Sequence, residues 1–314
     1  SRQPMKLIRN LEEYQPAGPL CLALGNFDGV HLGHQQLIKE CVNYARNNEG
    51  IAAAYIFDPH PARVIKPDSA PKLLVTPQRK AELLEALGLD LLIYAVFTPE
   101  VAKMSPEDFV KNILVDQLHV QQVVVGFNYS FGYRGAGTPA LLKELGTQYG
   151  FNTVIIEPVT INGQIVSSSA IRQALEEGDV EKAAAMLGSY PLISGQVVKG
   201  EQRGKRIGFP TANLYVDPEL TIPGSGVYAA LASVGSRWVK AVVNIGRKPT
   251  FHDEYPITVE AHLIDFNEDI YQQTMSLTFF KKIREERKFN GIEDLVQQIK
   301  RDRDEAARIV VLPR

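Results

Sequence analysis

Residues 20–37 read LCLALGNFDGVHLGHQQL, and this stretch decides the fold of the first half of the chain. The run LCLAL has no polar alternation, as expected of a strand buried on both faces. GNFDG then reads as a loop at the strand's carboxyl end, and a helix begins at His31. Glycines let the backbone approach a phosphate with no Cβ in the way. A helix N-terminus offers free N–H groups and partial positive charge, which suits an anion. His31 and His34 are three residues apart, so both imidazoles lie on one face of the first turn and point at the same anion. Gly33 between them leaves that face flat enough for a base or ribose. A metal would need a third and fourth ligand, and the neighbouring sequence supplies neither. Two merely structural histidines are the blander reading. Their convergence on a glycine-bounded helix start weighs against it.

Working outward, four more apolar runs follow: IAAAYIF (51–57), LLIYAVF (91–97), QVVVG (122–126) and TVIIE (153–157). Helices lie between them. Thr76-Pro77, Ser105-Pro106 and Thr138-Pro139 each offer a cap followed by proline at the first helical position. Glu107 and Asp108 suit a helix N-terminus. Repeated strand–helix units predict an α/β, Rossmann-like, doubly wound parallel sheet that binds ligands beyond the carboxyl ends of its strands. From GSYPLI (188–193) the texture changes. The runs ISGQVVKG, GVYAALASV, WVKAVVNIG, ITVEAHLIDF and MSLTFF follow one another with turn residues between, which predicts an all-β antiparallel barrel or sandwich. The end, NGIEDLVQQIKRDRDEAARIV, places Ile292, Leu295, Val296 and Ile299 at helical spacing, so one terminal amphipathic helix should lie on the barrel. Two domains are expected, 5–187 and 188–314.

Composition agrees. A chain of 314 residues is comfortable for two cores. Hydrophobic residues make up 45% and charged residues 22%, with a formal net charge of -2. No overall basic field recruits nucleic acid or an anionic membrane, and the apolar runs are too short to span a bilayer. A local basic patch suffices for small anionic substrates. The expected partners are therefore small molecules, on a monomer or weak homo-oligomer. Cys21 and Cys41 form no C-x-x-C pair, and Cys21 reads as a small buried hydrophobe. With no secretory pattern, this predicts a reducing, cytoplasmic setting. The four residues ahead of Met5 are expected to be a remnant outside the natural chain.

GNFDGVHLGH resembles the H-x-G-H signature of nucleotidylyltransferases, in the version carried by bacterial bifunctional riboflavin kinase/FAD synthetases. DPHP (58–61) follows the second strand, GFNYSFG (126–132) a later one, and VSSSAIR (166–172) resembles that family's I-S-S-T-x-I-R run. H-x-G-H alone indicates only nucleotidyl transfer; the four pieces in this order point to FAD synthetases. The resemblance implies adenylyl transfer, in which the phosphate of FMN attacks the α-phosphorus of ATP and pyrophosphate leaves. The attacking oxygen is already ionised, so the site must supply alignment and positive charge rather than a strong base. His31, His34 and Arg172 take that role, with an i+4 ion pair to Glu176 as the alternative for Arg172. Gly25, Asn26, Phe27, Asp28, Gly33, Asn128, Ser168 and Ser169 form the ATP side. The two serines donate hydroxyls to phosphate, and Asn26 and Asp28 shape the loop and contact ribose. Asp28 could equally cap the helix at His31. Pro59, His60 and Phe127 form the flavin side. Two positions depart from the family: Asn128 stands where many members carry Asp, and Ser169 where Thr is usual.

Residues 200–214, GEQRGKRIGFPTANL, resemble the G-x-x-x-G-x-P-T-A-N motif of riboflavin kinases. The pattern is not a Walker loop. Backbone N–H groups at Gly204 and Gly208, with Lys205, would hold phosphates. Thr211 and Asn213 face one side of a strand and would complete a Mg²⁺ shell with their oxygens. A ribityl hydroxyl is a poor nucleophile until a carboxylate accepts its proton. Alternation in VEAHLIDF puts Glu260, His262 and Ile264 on one face and Val259, Ala261 and Leu263 on the other, which leaves the glutamate's role open. The resemblance assigns Glu260 as the base. GSGVYAA (224–230) and FFKKIREERKF (279–289) look like flavin-side segments, with Tyr228 and Arg284 as candidates. A solvated charged run is the equal alternative for Arg284. The family's I-Y-G turn is IYQQ (270–273) here, so a glycine is missing.

The expected function is ATP- and Mg²⁺-dependent phosphorylation of riboflavin to FMN, then adenylylation of FMN to FAD. The alternative is a riboflavin kinase with a weakened or retargeted N-terminal domain, motivated by Asn128 and Ser169. A non-catalytic flavin carrier or regulator is a third reading, and an intact base in Glu260 argues against it.

Overall fold

The computed structural model describes residues 3–200, 208–247 and 257–314. It divides into two compact units, 1–168 and 169–314.

The first unit runs β1 (Lys6–Ile8), β2 (Leu20–Leu24), α1 (Leu32–Asn47), β3 (Ile51–Phe57), α2 (Pro61–Ile65), α3 (Pro77–Ala86), β4 (Leu91–Ala95), α4 (Pro99–Lys103), α5 (Pro106–Asp108, continued by a π-helical stretch, Phe109–Gln117), β5 (Val120–Gly126), α6 (Pro139–Tyr149), β6 (Asn152–Ile156) and a hairpin of β7 (Thr160–Ile161) and β8 (Gln164–Ile165). The three threonine and serine caps form as expected: the hydroxyls of Thr76, Ser105 and Thr138 accept from Arg79 N, Asp108 N and Leu141 N, each at 3.1 Å. The sheet is parallel throughout, in the order β1-β4-β3-β2-β5-β6. It is the doubly wound sheet the sequence predicts. Leu20, Leu22 and Leu24 pack on one face with Phe109, Leu114 and Leu142. Cys21 and Ala23 pack on the other with Ile38, Cys41 and Leu84. Cover on both faces explains why LCLAL shows no alternation. Each buried leucine contributes roughly 2 kcal/mol. β1 is absent from the sequence reading. It has three residues, of which only Ile8 is buried, too few for a periodic signal.

Strand order reverses beside β2. From β2 the chain builds outward through β3 and β4, then returns to place β5 on the other flank. A crevice opens at such a switch point, beyond the strands' carboxyl ends. The loops after β2 and β5, GNFDG and GFNYSFG, therefore meet at the position where this fold binds ligands.

α7 (Ser168–Glu176) crosses the division between the units, and α8 (Val180–Leu187) follows. The sequence reading places both with the first domain. Most of α7 and all of α8 group instead with the second unit, where Gly224 N donates to Leu175 O at 2.8 Å. The barrel consists of β9 (Leu192–Val198), β10 (Ala212–Tyr215), β11 (Gly226–Val234), β12 (Arg237–Arg247), β13 (Ile257–Leu263) and β14 (Thr274–Arg284), and ends in α9 (Ile292–Ile309). The strands close in the order β10-β13-β12-β11-β14-β9, all antiparallel, so the alternative of an open sandwich is excluded. α9 lies on the barrel, but by a face further along than expected. Ile292 is 68% exposed, whereas Ala306 and Val310 pack on Ala229 and Leu231. The small Ala306 side chain permits that close approach. Among the described residues, no helix is long and apolar enough to cross a membrane.

Candidate active sites

At the carboxyl end of β2 the chain makes a tight turn. Val30 N donates to Phe27 O at 3.0 Å, and Gly29, with φ 86°, occupies the position that needs a left-handed residue. Phe27 (φ 57°) and Val30 (φ 48°) are left-handed as well. For a β-branched residue this costs on the order of 1–2 kcal/mol. Burial of both side chains and a bond from Gln35 Nε2 to Val30 O at 2.9 Å hold the loop in place.

His31 is the N-cap of α1. Its Nδ1 accepts from Gly33 N at 3.1 Å and His34 N at 3.3 Å, while its own N–H donates to His34 Nδ1 at 3.3 Å. Both Nδ1 atoms are therefore acceptors, which assigns each neutral ring its proton at Nε2. The rings stack with centroids 3.5 Å apart. Burial pushes His31 down to about 4. Burial, then the neighbouring His31 and Lys80, hold His34 well below its usual range. The pair thus offers neutral donors, not the positive charge expected of it, because a cap needs lone pairs and stacked rings disfavour two cations. Gly33 also has a local packing role. A Cβ there would stand 3.0 Å from His31 Cε1 and 3.2 Å from Nδ1, so the glycine makes room for the capping ring.

Other predicted positions have internal partners. Phe27 is buried, edge-on to His34 at 5.4 Å, and its ring would lie 3.1 Å from a Cβ on Gly25. Asp28 does not cap α1. Its buried carboxylate accepts from Leu74 N at 3.0 and 3.1 Å. Its carbonyl accepts from Ser168 Oγ at 2.8 Å. Asn26 O accepts from Lys80 Nζ at 2.8 Å. Lys80 escapes the sequence reading. Its only signal is a lysine four residues before Leu84 on the buried side of α3. His60 caps α2 through Nδ1, accepting from Ala62 N at 2.9 Å, and Pro59 is exposed. Phe127 and Asn128 are exposed beyond β5, and Val64, Ile65 and Val96 are exposed beyond β3 and β4. Ser169 is exposed and Arg172 half-buried on α7, both within the second unit.

In the barrel, register brings three polar residues into a row. Asn213 on β10 stands opposite Glu260 on β13, and Glu260 opposite Asn244 on β12. Directly paired residues share a face of the sheet, with Cβ atoms roughly 5 Å apart. Asn244 is missed by the sequence reading; the run WVKAVVNIG also holds Lys240, so polarity alone does not single it out. Thr211 and Asn213 line a cleft of about 600 Å³, together with Lys199, Leu263, Glu268 and Tyr271. A Cβ on Gly200 would overlap the Asn213 amide, so that glycine gives the side chain its place. His262, on the same face as Glu260, contacts Pro210 O through Nδ1 at 3.0 Å and so braces the residue before Thr211. Burial also raises the Glu286 carboxyl, with Glu260 and Glu285 adding to the effect. Gly208 is exposed, with φ 89°. Gly204 and Lys205 lie outside the described residues.

Two flavin-side candidates have other employment. Arg284 pairs with the buried Asp302 of α9, Nη2 to Oδ2 at 2.8 Å and Nε to Oδ1 at 3.0 Å. Tyr228 is 0% exposed, edge-on to Phe279 at 5.4 Å, and its hydroxyl donates to Gly224 O at 2.5 Å. A side chain with no exposed surface touches no ligand in this conformation.

Comparison with known proteins gives a consistent assignment. A family model described as FAD synthetase matches residues 15–170, and one described as riboflavin kinase matches residues 187–310. The bifunctional riboflavin kinase/FMN adenylyltransferase of Bacillus subtilis is 40% identical over 91% of this chain and 91% of its own length. The protein of the same name from Listeria monocytogenes is 38% identical over 90% and 89%, and that of Escherichia coli K12 is 34% identical over 95% and 96%. A crystal structure titled macrolide-efflux protein, from Streptococcus pneumoniae, superposes with a TM-score of 0.88 at 28% identity, covering 98% of this chain and all of that one. On the extent and identity of the named relatives, this chain belongs to the bifunctional riboflavin kinase/FMN adenylyltransferase family.

Proposed function

We propose that the barrel phosphorylates riboflavin to FMN with magnesium–ATP, and that the parallel-sheet unit adenylylates FMN to FAD with release of pyrophosphate. The observation that carries this reading is the contrast in proton acceptors. The barrel presents Glu260 between two amides. The loop after β2 presents two neutral imidazoles whose Nε2–H groups only donate.

On the barrel, Glu260 accepts the proton of the ribityl hydroxyl as the γ-phosphoryl group moves. Thr211 and Asn213 offer hard, neutral oxygens to the Mg²⁺ that arrives with ATP, which fits a site where the phosphates carry the charge. Lys205 and Gly204 cradle those phosphates by the motif alone. In the other unit, the phosphate of FMN is its own nucleophile. His31 and His34 donate to phosphate oxygens, and the N-terminus of α1 adds its dipole. Val64, Ile65, Val96 and Phe127 are exposed apolar side chains of the kind an isoalloxazine ring would cover, and Pro59 and His60 join them by the motif alone. Roles for Ser169 and Arg172 rest on the motif alone. Buried, unbridged Cys21 and Cys41 fit the cytoplasm as the setting.

Two assays on the full chain test the reading. Riboflavin with magnesium–ATP should yield FMN and ADP, and FMN with magnesium–ATP should yield FAD and pyrophosphate. FMN formation without FAD would favour the second reading, a kinase with a weakened nucleotidyltransferase unit, for which the uncharged Asn128 gives the physical motive. Absence of ADP release would overturn the proposal.

A further inference from the structure

Lys80 is a lysine on the buried side of α3, 6% exposed, with Nζ 2.8 Å from the carbonyl oxygen of Asn26. Burying an ammonium is unfavourable unless something offsets it. Burial pushes the Lys80 ammonium down from its usual range, and the charges of Asp28 and Asp58 oppose that shift. Asp28 accepts from Leu74 N, and Asp58 pairs with Arg9 at 3.0 Å. If packing alone were needed under this loop, methionine would fill much the same space without a charge. His31 and His34 are neutral donors, yet the site is to hold a triphosphate and a departing pyrophosphate.

We propose that Lys80 is a positioning residue for nucleotidyl transfer: it fixes the Asn26 carbonyl and lends positive charge to the phosphate-binding loop from behind. The inference rests on the proposed adenylylation at this loop. Lys80 makes no contact with the reacting atoms in this scheme. It acts through the backbone of residues 25–29 and through the local field. A methylene chain threaded under the loop and a charged end against a loop carbonyl do both at once.

Three substitutions in the full chain separate the parts. Lys80→Met removes bond and charge, Lys80→Gln keeps a donor for Asn26 O without the charge, and Lys80→Arg keeps the charge. The expected result is at least a tenfold fall in kcat/KM for ATP in FMN adenylylation with Lys80→Met and at least fivefold with Lys80→Gln. Lys80→Arg should retain more than either. Riboflavin phosphorylation in the same preparations should stay within twofold, and the unfolding temperature of Lys80→Met should not drop. Adenylylation within twofold of the parent in Lys80→Gln would overturn the proposal. So would equal losses in Lys80→Gln and Lys80→Arg. Should Lys80→Met fail to fold, the Gln and Arg variants still decide. Binding of magnesium–ATP, measured by calorimetry in a chain also carrying Thr211→Ala and Asn213→Ala, reports this loop without any acceptor. Affinity there should fall at least fivefold with Lys80→Gln. If the parent makes no FAD, the adenylylation reading falls, while that affinity still decides for or against Lys80.

Discussion

At the carboxyl end of β2, the groups proposed to meet a nucleotide are two stacked neutral imidazoles on a loop with left-handed residues at Phe27, Gly29 and Val30. On the barrel, the corresponding groups are a carboxylate and two amides, set side by side by ordinary antiparallel register. The difference follows from the nucleophile each reaction uses. A phosphate monoester is ionised at neutral pH and needs alignment, which strained backbone can hold rigidly. A ribityl hydroxyl must lose a proton, so its site needs a base and can stand on regular strands.

The sharpest break in this comparison is Glu260→Gln. General-base catalysis contributes roughly 10²- to 10⁴-fold, so riboflavin phosphorylation, followed as ADP release, should fall by about that factor. FAD formation from supplied FMN should be unchanged. Normal phosphorylation by the variant would remove Glu260 from the role.

Next in size is the imidazole at position 31. His31→Ala loses the cap, about 1 kcal/mol, and the Nε2–H donor, and FAD formation should fall on the order of 10²-fold. His31→Asn keeps a capping acceptor, so its stability should return while its activity does not. If His31→Asn restored FAD formation, the cap and not the donor would be the contribution. This histidine also gives a pH signature. Its folded value, about 4, lies below its unfolded value of about 6.5, so the unfolded chain binds the extra proton between those limits. Stability from this group is complete above pH 6.5 and is lost on acidification at up to about 1.4 kcal/mol per pH unit. Denaturant midpoints of the parent and His31→Asn should coincide above pH 6.5 and separate as pH falls to 4, the parent's dropping below the variant's. Parallel midpoints across that range would contradict the depressed value.

How far this comparison is legible in the sequence differs between the two sites. LCLAL, IAAAYIF and GVYAALASV match their strands end to end because cover on both sides leaves an unbroken apolar run. The short β1 leaves no such trace, nor does the face on which α9 docks, because a single small residue, Ala306, decides it. His31 and His34 stand out by their spacing and the resemblance, and Glu260 by the resemblance alone. Lys80, Asn244 and His262 do not, since each acquires its meaning from a partner distant in sequence: Asn26, Glu260 and Pro210. The packing role of Gly33 is hidden because the space it leaves is filled by its own neighbour's ring.

A smaller effect is expected at Gly200. A methyl group there would displace the Asn213 amide from its place beside Glu260. Misplacing a positioning group by about 1 Å can cost up to 10²-fold in rate. Gly200→Ala should therefore lower kcat/KM for magnesium–ATP in phosphorylation about tenfold, with FAD formation from FMN intact. A variant with parental ATP dependence would mean that Asn213 holds no part of the substrate.

The smallest effect concerns the turn after β13, where the family glycine is missing. Gln272 takes the left-handed conformation a glycine would take, with φ 70°. Its N–H donates to Val197 O at 2.9 Å, and its carbonyl accepts from Gln196 Nε2 at 3.2 Å. These bonds hold the turn, which presents Ile270 and Tyr271 to the cleft that Thr211 and Asn213 line. The cost is local strain of about 1–2 kcal/mol. Gln272→Gly removes that strain but frees the unfolded chain, which costs back roughly 0.5–1 kcal/mol. Relief outweighs entropy, so the variant should gain about 0.5 kcal/mol, read as a higher denaturant midpoint at unchanged slope. Phosphorylation should stay within twofold, because the backbone that faces the cleft does not move. A lower midpoint would show that the glutamine side chain stabilises the turn by more than its backbone strains it, and the missing glycine would then be an adaptation instead of a tolerated defect.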